Sequence, residues 1–488
     1  MLKIQNTLSK TKEEFKSINN NRINMYTCGV TVYDHCHIGH ARSLYLFEVI
    51  RRYLKFSGYK VSFVRNITDV DDKIINKAKE LAAKDGQLND SLSNDQRRNV
   101  IEQVFDDVRT KYIDSYYSDL RALNIPRADV EPKATENIKD MQDYITALIE
   151  KGYAYPSNGN VYFSVRKFKD YGKLSGKKID DLLSSVRIDN DPDKKDPLDF
   201  ALWKASKDDE PFWESPWGRG RPGWHIECSV MSRKFLGSDT LDIHGGGRDL
   251  VFPHHENEIA QSEALTDTKF SEYWIHHGLL TIEKQKMSKS LGNFLTVRDV
   301  LDKIPADILK MFFLRATYSS SIDFSWDIIE EVKKAYDRIV TLRARLSSAL
   351  AGRNLESAEL TIDGVSFDDM FRTAMDDDFN MPKALAVLFD LVSTANALMD
   401  KNMTDDTLSK MCYAQGFINR VADIFVLDFN LNQYNNITDD EIEECILKRL
   451  ECKKNKEYEK ADAIRKTLLE KGVTLNDNKD GTTWKRMI

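Results

Sequence analysis

Two short polar motifs, far apart in the chain, contain residue types that could handle phosphate groups. In the first, His37 and His40 flank an Ile-Gly pair, and in the second, Lys286 and Lys289 lie in a Lys-Met-Ser-Lys-Ser run that we predict to be a polar loop. The imidazoles could donate hydrogen bonds to charge that develops on phosphates, and Gly39 leaves space for a flat base. The ammonium groups could neutralise a departing pyrophosphate. Together and in this order, the motifs predict a site that cleaves ATP at the α-phosphate.

Four other residues form a candidate metal site. His254 and Glu258 are four residues apart, so on a helix they would share one face. Cys28, Cys228, one imidazole and one carboxylate are a ligand set that suits zinc. The chain has no Cys-x-x-Cys pair, so a metal site must be assembled from distant segments. The alternative is that the two cysteines are buried small hydrophobic residues.

An α/β fold with a parallel sheet is needed to position the first motif. Residues 22–30 and 59–65 have strand-like patterns, and residues 40–57 between them have apolar side chains at helical spacing. Strand, helix and strand in this order predict a βαβ unit. Open parallel sheets bind ligands at the carboxyl ends of their strands. The motif at 37–40 would therefore lie at a helix N-terminus, which favours phosphate.

The 488 residues are too many for one core and indicate two to four domains. Later segments contain short strands between 151 and 200, and helical periodicity from residue 325 onward. We expect a catalytic domain in two halves with a connective insertion, followed by a helical bundle and a small C-terminal domain. The expected bounds, in that order, are 1–120 and 223–320 for the halves, 121–222 for the insertion, 321–429 and 438–488.

Charge is unevenly distributed along the chain. The net charge is −7, which argues against nucleic-acid binding by the whole surface. Residues 448–486 contain 12 Lys or Arg and 7 Asp or Glu, a local balance of +5 that leaves −12 for the rest. This segment could attract phosphate groups. No apolar run has the length of a bilayer span, and the N-terminus has no hydrophobic signal region, so we expect a cytoplasmic location.

Over essentially its whole length the chain resembles the bacterial-type cysteinyl-tRNA synthetases, a family of class I aminoacyl-tRNA synthetases. The family implies a Rossmann-like catalytic domain and ATP-dependent ligation of L-cysteine to tRNA(Cys) through cysteinyl adenylate. It also implies one zinc ion per chain, ATP bound with Mg²⁺, a monomer, and anticodon binding by residues 438–488. The resemblance is carried by residues 26–34, 37–43, 65–73, 222–229, 242–261, 286–293, 374–379 and 481–484.

The resemblance implies roles for single residues. Those implied in adenylation chemistry are His37, His40, Lys286 and Lys289. Those implied in ATP binding are Gly39, Asp249 and Lys289. Those implied in the cysteine pocket are Gly29, Thr31, Thr68 and Trp224. The implied zinc ligands are Cys28, Cys228, His254 and Glu258. At the C-terminus, the position of Trp484 between Thr483 and Lys485 predicts stacking on an unpaired tRNA base, because an aromatic ring beside cations suits this contact. Its alternative role is packing the core of the small domain.

Zinc would solve a recognition problem. Pocket shape separates substrates that differ by one small group by only about 1–3 kcal/mol, whereas translation needs roughly 10⁴-fold, or about 5.5 kcal/mol, between cysteine and serine. A thiolate bound to zinc can supply this difference. The alternative function is a ligase that makes cysteinyl adenylate but transfers cysteine to a small amine. Relatives with that activity lack the anticodon-binding end, so the cationic tail with Trp484 favours tRNA.

Overall fold

The computed structural model describes residues 1–89, 91–179, 191–287, 292–401, 403–429, 439–455, 457–470, 473–478 and 481–486. The chain divides into two compact units. The first comprises Met1–Arg298, Ala316–Asp323 and Arg372–Lys383. The second comprises Asp299–Arg315, Phe324–Phe371 and Ala384–Ile488. The finer division into five segments stays a prediction.

The first unit contains a four-stranded parallel sheet, which we call the central sheet. In spatial order its strands are Ser271–His277, Leu241–Gly247, Arg22–Thr31 and Lys60–Thr68. The predicted βαβ unit is confirmed, because the helix Ile38–Phe56 connects the last two of these strands in the chain. Burial of both faces explains why the strands are rich in apolar residues. The carboxyl ends of all four strands meet at one edge.

The other elements up to residue 286 surround this sheet or follow it. The helices are Asp72–Lys84, Asn94–Ala122, Ile138–Glu150, Trp224–Leu236 and Glu256–Thr266, with short turns of helix at Ala134–Asn137, Val165–Lys167, Arg248–Leu250 and Val251–His255. An antiparallel sheet has the strand order Ala154–Ser157, Asn160–Phe163, Phe200–Ala205 and Gly220–Pro222. Two hairpins are formed by Lys3–Asn6 with Thr11–Glu14 and by Leu280–Ile282 with Gln285–Lys286.

From Val297 onward the chain is mainly helical, as the periodicity predicts. The helices are Val297–Leu301, Ala306–Leu314, Trp326–Leu350, Phe367–Asp376, Met381–Met399, Asp405–Ile424, Asp439–Lys454 and Tyr458–Glu470. The strands are Ile322–Phe324, Thr361–Ile362, Val365–Ser366, Val473–Asn478 and Gly481–Arg486. Among the described residues, no helix combines the length and the apolar character needed to cross a membrane.

A buried ion pair lies inside the helical second unit. The Lys310 ammonium is 2.7 Å from the Asp307 carboxylate, and both side chains are 1% exposed. Lys310 also donates to the Val426 carbonyl. The same carboxylate accepts hydrogen bonds from the Tyr336 hydroxyl at 3.1 Å and from the backbone N–H groups of residues 428–429. These bonds tie three segments of the unit together.

Replacing Lys310 by methionine is expected to destabilise the protein by about 3–5 kcal/mol, because it leaves the Asp307 charge buried without its cation. The measurement is the urea unfolding transition of the full chain. The control is Lys333→Met, because Lys333 is a partly exposed lysine 4.0 Å from Glu330, where a loss below about 1 kcal/mol is expected. Equal losses in the two variants would contradict this account of the buried pair.

Candidate functional site

A cleft of about 450 Å³ opens at the carboxyl ends of the central strands. We call it the active cleft. It is lined by residues from both phosphate motifs, from the metal candidates and from the implied cysteine and ATP sites. These are Cys28, Gly29, Thr31, His37, Gly39, His40, Trp224, Asp249 and Lys286. Residues that are up to about 260 positions apart in sequence therefore face one space.

The two histidines of the first motif are fixed at the N-terminus of the helix Ile38–Phe56. His37 is its N-cap, and its Nδ1 accepts from the backbone N–H groups of Gly39 at 3.1 Å and His40 at 3.3 Å. The Nδ1 of His40 accepts from the backbone N–H of His37 at 3.4 Å. In both rings the neutral imidazole therefore holds its proton on Nε2, the atom that can donate to a ligand.

Packing and burial support this arrangement. The rings of His37 and His40 stack with centroids 3.7 Å apart. Burial, reinforced by the nearby His37 and Lys73, holds the pKa of His40 well below its ordinary value, so His40 is neutral at pH 7. A Cβ on Gly39 would lie 2.9 Å from the His37 ring, so only glycine leaves the stacked pair in place. The motif is thus a rigid pair of neutral donors.

The second motif begins at the end of the hairpin that is formed by the strands Leu280–Ile282 and Gln285–Lys286. The sequence predicted a polar loop here, and this is wrong for Lys286, which lies in a strand paired with Thr281. The strand is short and polar, so it has no hydrophobic alternation to reveal it. Lys286 is exposed and lines the active cleft. Lys289 lies outside the described residues, and its role stays a prediction.

Arg42 connects the two motifs and was not predicted as a site residue. It is fully buried on the helix that begins with the first motif. Its guanidinium donates to the carbonyls of Gly278 at 2.7 Å, Leu279 at 3.0 Å and Ser320 at 2.6 Å. Burial lowers the pKa of Arg42 to about 10, so it stays charged at pH 7. Arg42 therefore fixes the segment just before the hairpin that carries Lys286.

The metal candidates converge below the active cleft. The ligand atoms of Cys28, Cys228, His254 and Glu258 all lie within 4.8 Å of one another. The two sulfurs are 3.7 Å apart, too far for a disulfide. A tetrahedral zinc ion with Zn–S bonds of about 2.3 Å has an S–S edge of about 3.8 Å. The arrangement of the donors therefore fits zinc.

Electrostatics also favour a cation here. The Glu258 carboxylate is 2.8 Å from His254 Nε2, the pair predicted to share a helix face, and 2.6 Å from His244 Nε2. Burial alone would raise the pKa of Glu258, but the two histidines hold it well below its usual value, so Glu258 is ionised. Burial also opposes ionisation of Cys228, yet hydrogen bonding by Cys28 and the proximity of His254 lower the pKa of Cys228 to about 7. Glu258 and the Cys228 thiolate are therefore the anionic groups of the site, whereas burial and the neighbouring Cys228 hold the pKa of Cys28 well above its usual value.

A network of further histidines surrounds these ligands. His225 Nδ1 is 2.9 Å from His254 Nδ1. His255 Nε2 is 3.2 Å from the Cys28 sulfur, and its Nδ1 is 2.7 Å from His276 Nε2. A second ligand set therefore overlaps the predicted one, and it consists of Cys28, His244, His255 and Glu258. The sequence signal for this network was the confinement of all nine histidines to residues 35–277.

The residues of the implied cysteine pocket do not all line the active cleft. Trp224 is 38% exposed and stacks on His254 with ring centroids 4.1 Å apart. Gly29 has no room for a side chain, because a Cβ would lie 1.6 Å from the Asn66 carbonyl oxygen. Thr68 is buried, and its hydroxyl donates to Glu227 at 2.7 Å. Thr31 ends its strand and lines the active cleft, whereas Thr68 does not line it and bonds to Glu227 instead.

Asp249 follows the strand Leu241–Gly247, in the helical turn Arg248–Leu250. Its side chain is exposed and faces the active cleft, on the same sheet edge as the first motif. This position is compatible with its implied contact to the ATP ribose.

Trp484 belongs to a separate apolar cluster near the C-terminus. Its ring packs partly against a core formed by Ile442, Ile446, Leu468, Val473 and Leu475. Its indole N–H donates to Glu443 at 2.6 Å, and the residue is half-buried. The packing role considered for Trp484 is therefore present, and contact with tRNA stays a prediction.

Comparison with known proteins defines the class. Residues 14–334 match the family described as tRNA synthetases class I (C) catalytic domain, and residues 370–430 match the DALR domain. A putative arginyl-tRNA synthetase from Campylobacter jejuni has a TM-score of 0.60 at 16% identity, covering 86% of this chain and 94% of its own. Methionyl-tRNA synthetase from Mycobacterium tuberculosis, solved with methionyl-adenylate, has a TM-score of 0.59 at 15% identity, covering 83% and 89%. These likenesses confirm the class I synthetase fold.

Relatives with higher sequence identity indicate which synthetase family the chain belongs to. The cysteine--tRNA ligase of Thermodesulfovibrio yellowstonii is 46% identical over all of both chains, and that of Clostridioides difficile is 43% identical over all of both chains. The protein belongs to the cysteine--tRNA ligase family.

Proposed function

We propose that this protein ligates L-cysteine to tRNA(Cys) in two steps. In the first, the cysteine carboxylate attacks the α-phosphorus of ATP and pyrophosphate leaves. In the second, a hydroxyl of the terminal ribose attacks the carbonyl of the adenylate and AMP leaves. The observation that carries the proposal is that the histidine motif, Lys286 and a two-cysteine metal candidate all border one cleft.

The first step needs charge stabilisation at the phosphates. The Nε2–H groups of His37 and His40 are donors whose rings are already fixed, so little reorganisation is needed as charge develops. Lys286, with Lys289, would hold the leaving pyrophosphate. Asp249 would accept from the ATP ribose, and Gly39 would let the base lie close to the helix. Mg²⁺ would enter with ATP.

The candidate metal site would select the substrate. Cys28, Cys228, His254 and Glu258 would hold a zinc ion, which supplies a Lewis acid for the substrate thiolate. Trp224, stacked on His254, would form the wall beside the substrate side chain. Glu258 and Cys228 provide negative charge that would retain a dication in a buried position, and Cys28 would lose its proton on binding the metal.

The alternative acceptor, a small amine, receives no support. The relatives that match this chain over its full length are cysteine--tRNA ligases. The monomeric state and the cytoplasmic location stay predictions from the sequence.

The test of the proposed function is cysteine-dependent ATP–pyrophosphate exchange, followed by aminoacylation of tRNA. We expect exchange without tRNA and cysteine esterified to tRNA when it is added. Exchange with serine at a comparable kcat/KM would contradict the proposed substrate.

Deleting residues 438–488 is expected to leave the exchange reaction near the wild-type rate. Transfer to tRNA should fall at least tenfold in kcat/KM, since the deletion removes the 12 Lys and Arg of residues 448–486, which have a local balance of +5, and with them their attraction for phosphate. The deletion begins one residue before the helix Asp439–Lys454, so it removes this helix and the elements that follow it as whole units. A matched loss of both activities would instead show that the tail supports the catalytic fold.

A further inference from the structure

A second pocket of about 530 Å³ lies beside the active cleft. Asp249 lines both. We call it the cationic pocket, after Lys10, Lys177 and Arg248. These residues belong to three separate segments: the loop of the N-terminal hairpin, the loop at 172–177 and the turn after the strand Leu241–Gly247.

The side chain of Lys10 lies against the loop 172–177, which contains Lys177. A Cβ on Gly176 would lie only 2.5 Å from the Lys10 Nζ, so the ammonium lies against the backbone of that glycine. The Lys177 Nζ lies 4.2 Å from the centroid of the Phe252 ring. Lys10 has a φ of +63°, and its N–H donates to the Asn6 carbonyl at 2.8 Å, which fixes the turn that presents its side chain. Side chains from three segments thus border one opening.

The pocket has an excess of positive charge. In the described part of the chain, none of the three cations forms an ion pair with a carboxylate, although many other Lys and Arg side chains do. Among the described residues that line the pocket, Asp249 is the one acid. Glu256, nearby, is already bonded to the backbone N–H groups of residues 174–175. A local positive field in a chain of net charge −7 attracts anions to this place.

The lining also offers groups that suit a nucleic acid more than a small ion. Lys10, Lys177 and Arg248 are exposed and come from different segments, so they can contact successive groups of an extended polyanion. Ser175 and Ser319 add hydroxyls. Phe252 is half-buried and carries Lys177 over its ring, the aromatic–cation pairing on which an unpaired base can stack.

We propose that the cationic pocket binds phosphodiester groups of the unpaired 3′ strand of the tRNA while its terminal ribose occupies the active cleft. This inference rests on the proposed function, because it needs an RNA substrate whose end reaches the adenylate. The shared wall at Asp249 places the pocket next to the ATP site. Phosphates held there would position the 3′ end without taking part in adenylation.

The test compares Lys10→Asn, Lys177→Ala, Arg248→Ala and the triple variant. Asparagine is chosen for Lys10 because it tolerates a positive φ. A contact with a single-stranded phosphate contributes a slope of about 0.7 to the salt dependence of binding. At 0.1 M salt this predicts a rise in KM for tRNA of about fivefold per variant and about 100-fold for the triple variant. The salt slope of the triple variant should be shallower by about 2.

Pyrophosphate exchange, with its KM values for ATP and cysteine, is measured on the same samples and should stay within about twofold of wild type. The control is Lys139→Ala, because Lys139 is 78% exposed and paired with Asp143. It removes the same charge and should leave the KM for tRNA unchanged. An unchanged KM for tRNA in the triple variant overturns the inference. Failure of the wild-type protein to exchange pyrophosphate would instead overturn the proposed function.

Two further arms identify the source of the phosphate. With an RNA that lacks its unpaired 3′ nucleotides, wild type and triple variant should bind equally. A persisting difference would show that the cations contact another part of the RNA and would overturn the location. With tripolyphosphate as the probe, both proteins should be inhibited equally. Inhibition that is lost in the triple variant, or a raised KM for ATP, would assign the pocket to small polyphosphates and overturn the RNA proposal.

Discussion

Replacing Cys228 by serine is expected to remove the bound zinc and to lower cysteine-dependent pyrophosphate exchange by at least about 10³-fold. Cys228 is 1% exposed, and its sulfur lies 3.7 Å from that of Cys28 and 3.6 Å from His254 Nε2. A serine hydroxyl stays protonated at pH 7 and is a poor zinc ligand. The expected loss follows from the discrimination of about 5.5 kcal/mol that a thiolate–metal bond would provide.

Metal analysis of the purified wild type should give about one zinc per chain, and the variant should give none. The control is Cys412→Ser, a half-buried cysteine in the helix Asp405–Ile424, which should retain both zinc and activity. A wild-type protein that keeps full activity after exhaustive removal of zinc would contradict the hypothesis that the site binds a functional metal ion. Retention of zinc in Cys228→Ser would favour the overlapping set of Cys28, His244, His255 and Glu258.

Lys289→Ala is expected to slow adenylate formation by about 10²–10³-fold with little change in cysteine binding. The lysine is predicted to act on charge that appears only as pyrophosphate leaves, so its removal lowers the rate constant of the chemical step. The measurement is pre-steady-state release of pyrophosphate at saturating ATP and cysteine.

Lys284→Asn is the matched control for this experiment. Lys284 lies in the turn of the hairpin that carries Lys286 and has a φ of +63°, which asparagine tolerates. Its loss removes the same charge from the same segment and should change the rate by less than about threefold. An unchanged rate constant in Lys289→Ala, accompanied by a raised KM for cysteine, would show that the assigned role is wrong.

The sequence predicted the parts of the fold and site that depend on local patterns. The βαβ unit followed from two apolar strands and a helix with 3–4 spacing, and the helix begins within two residues of the predicted start. The contact between His254 and Glu258 followed from helical geometry alone. The grouping of Cys28 with Cys228 did not, since 200 residues separate them. It was proposed from their ligand chemistry, and the family resemblance then implied it.

Features that depend on long-range packing could not be predicted from the sequence. Arg42 lies within a recognisable motif, but nothing in its spacing reveals that its partners are carbonyls about 236–278 residues away. The His255–His276 contact joins a helical turn to the neighbouring strand of the central sheet. The cationic pocket likewise depends on three loops meeting at one sheet edge. Such contacts are set by topology, which periodicity does not encode.

Aminoacylation of unfractionated tRNA with radiolabelled cysteine tests the central claim most directly. The wild-type protein, ATP and Mg²⁺ should attach cysteine to tRNA through an alkali-labile ester, and serine at equal concentration should give no detectable product. Pyrophosphate exchange with cysteine but no label on tRNA, together with label on a small amine, would contradict the claim that tRNA is the acceptor.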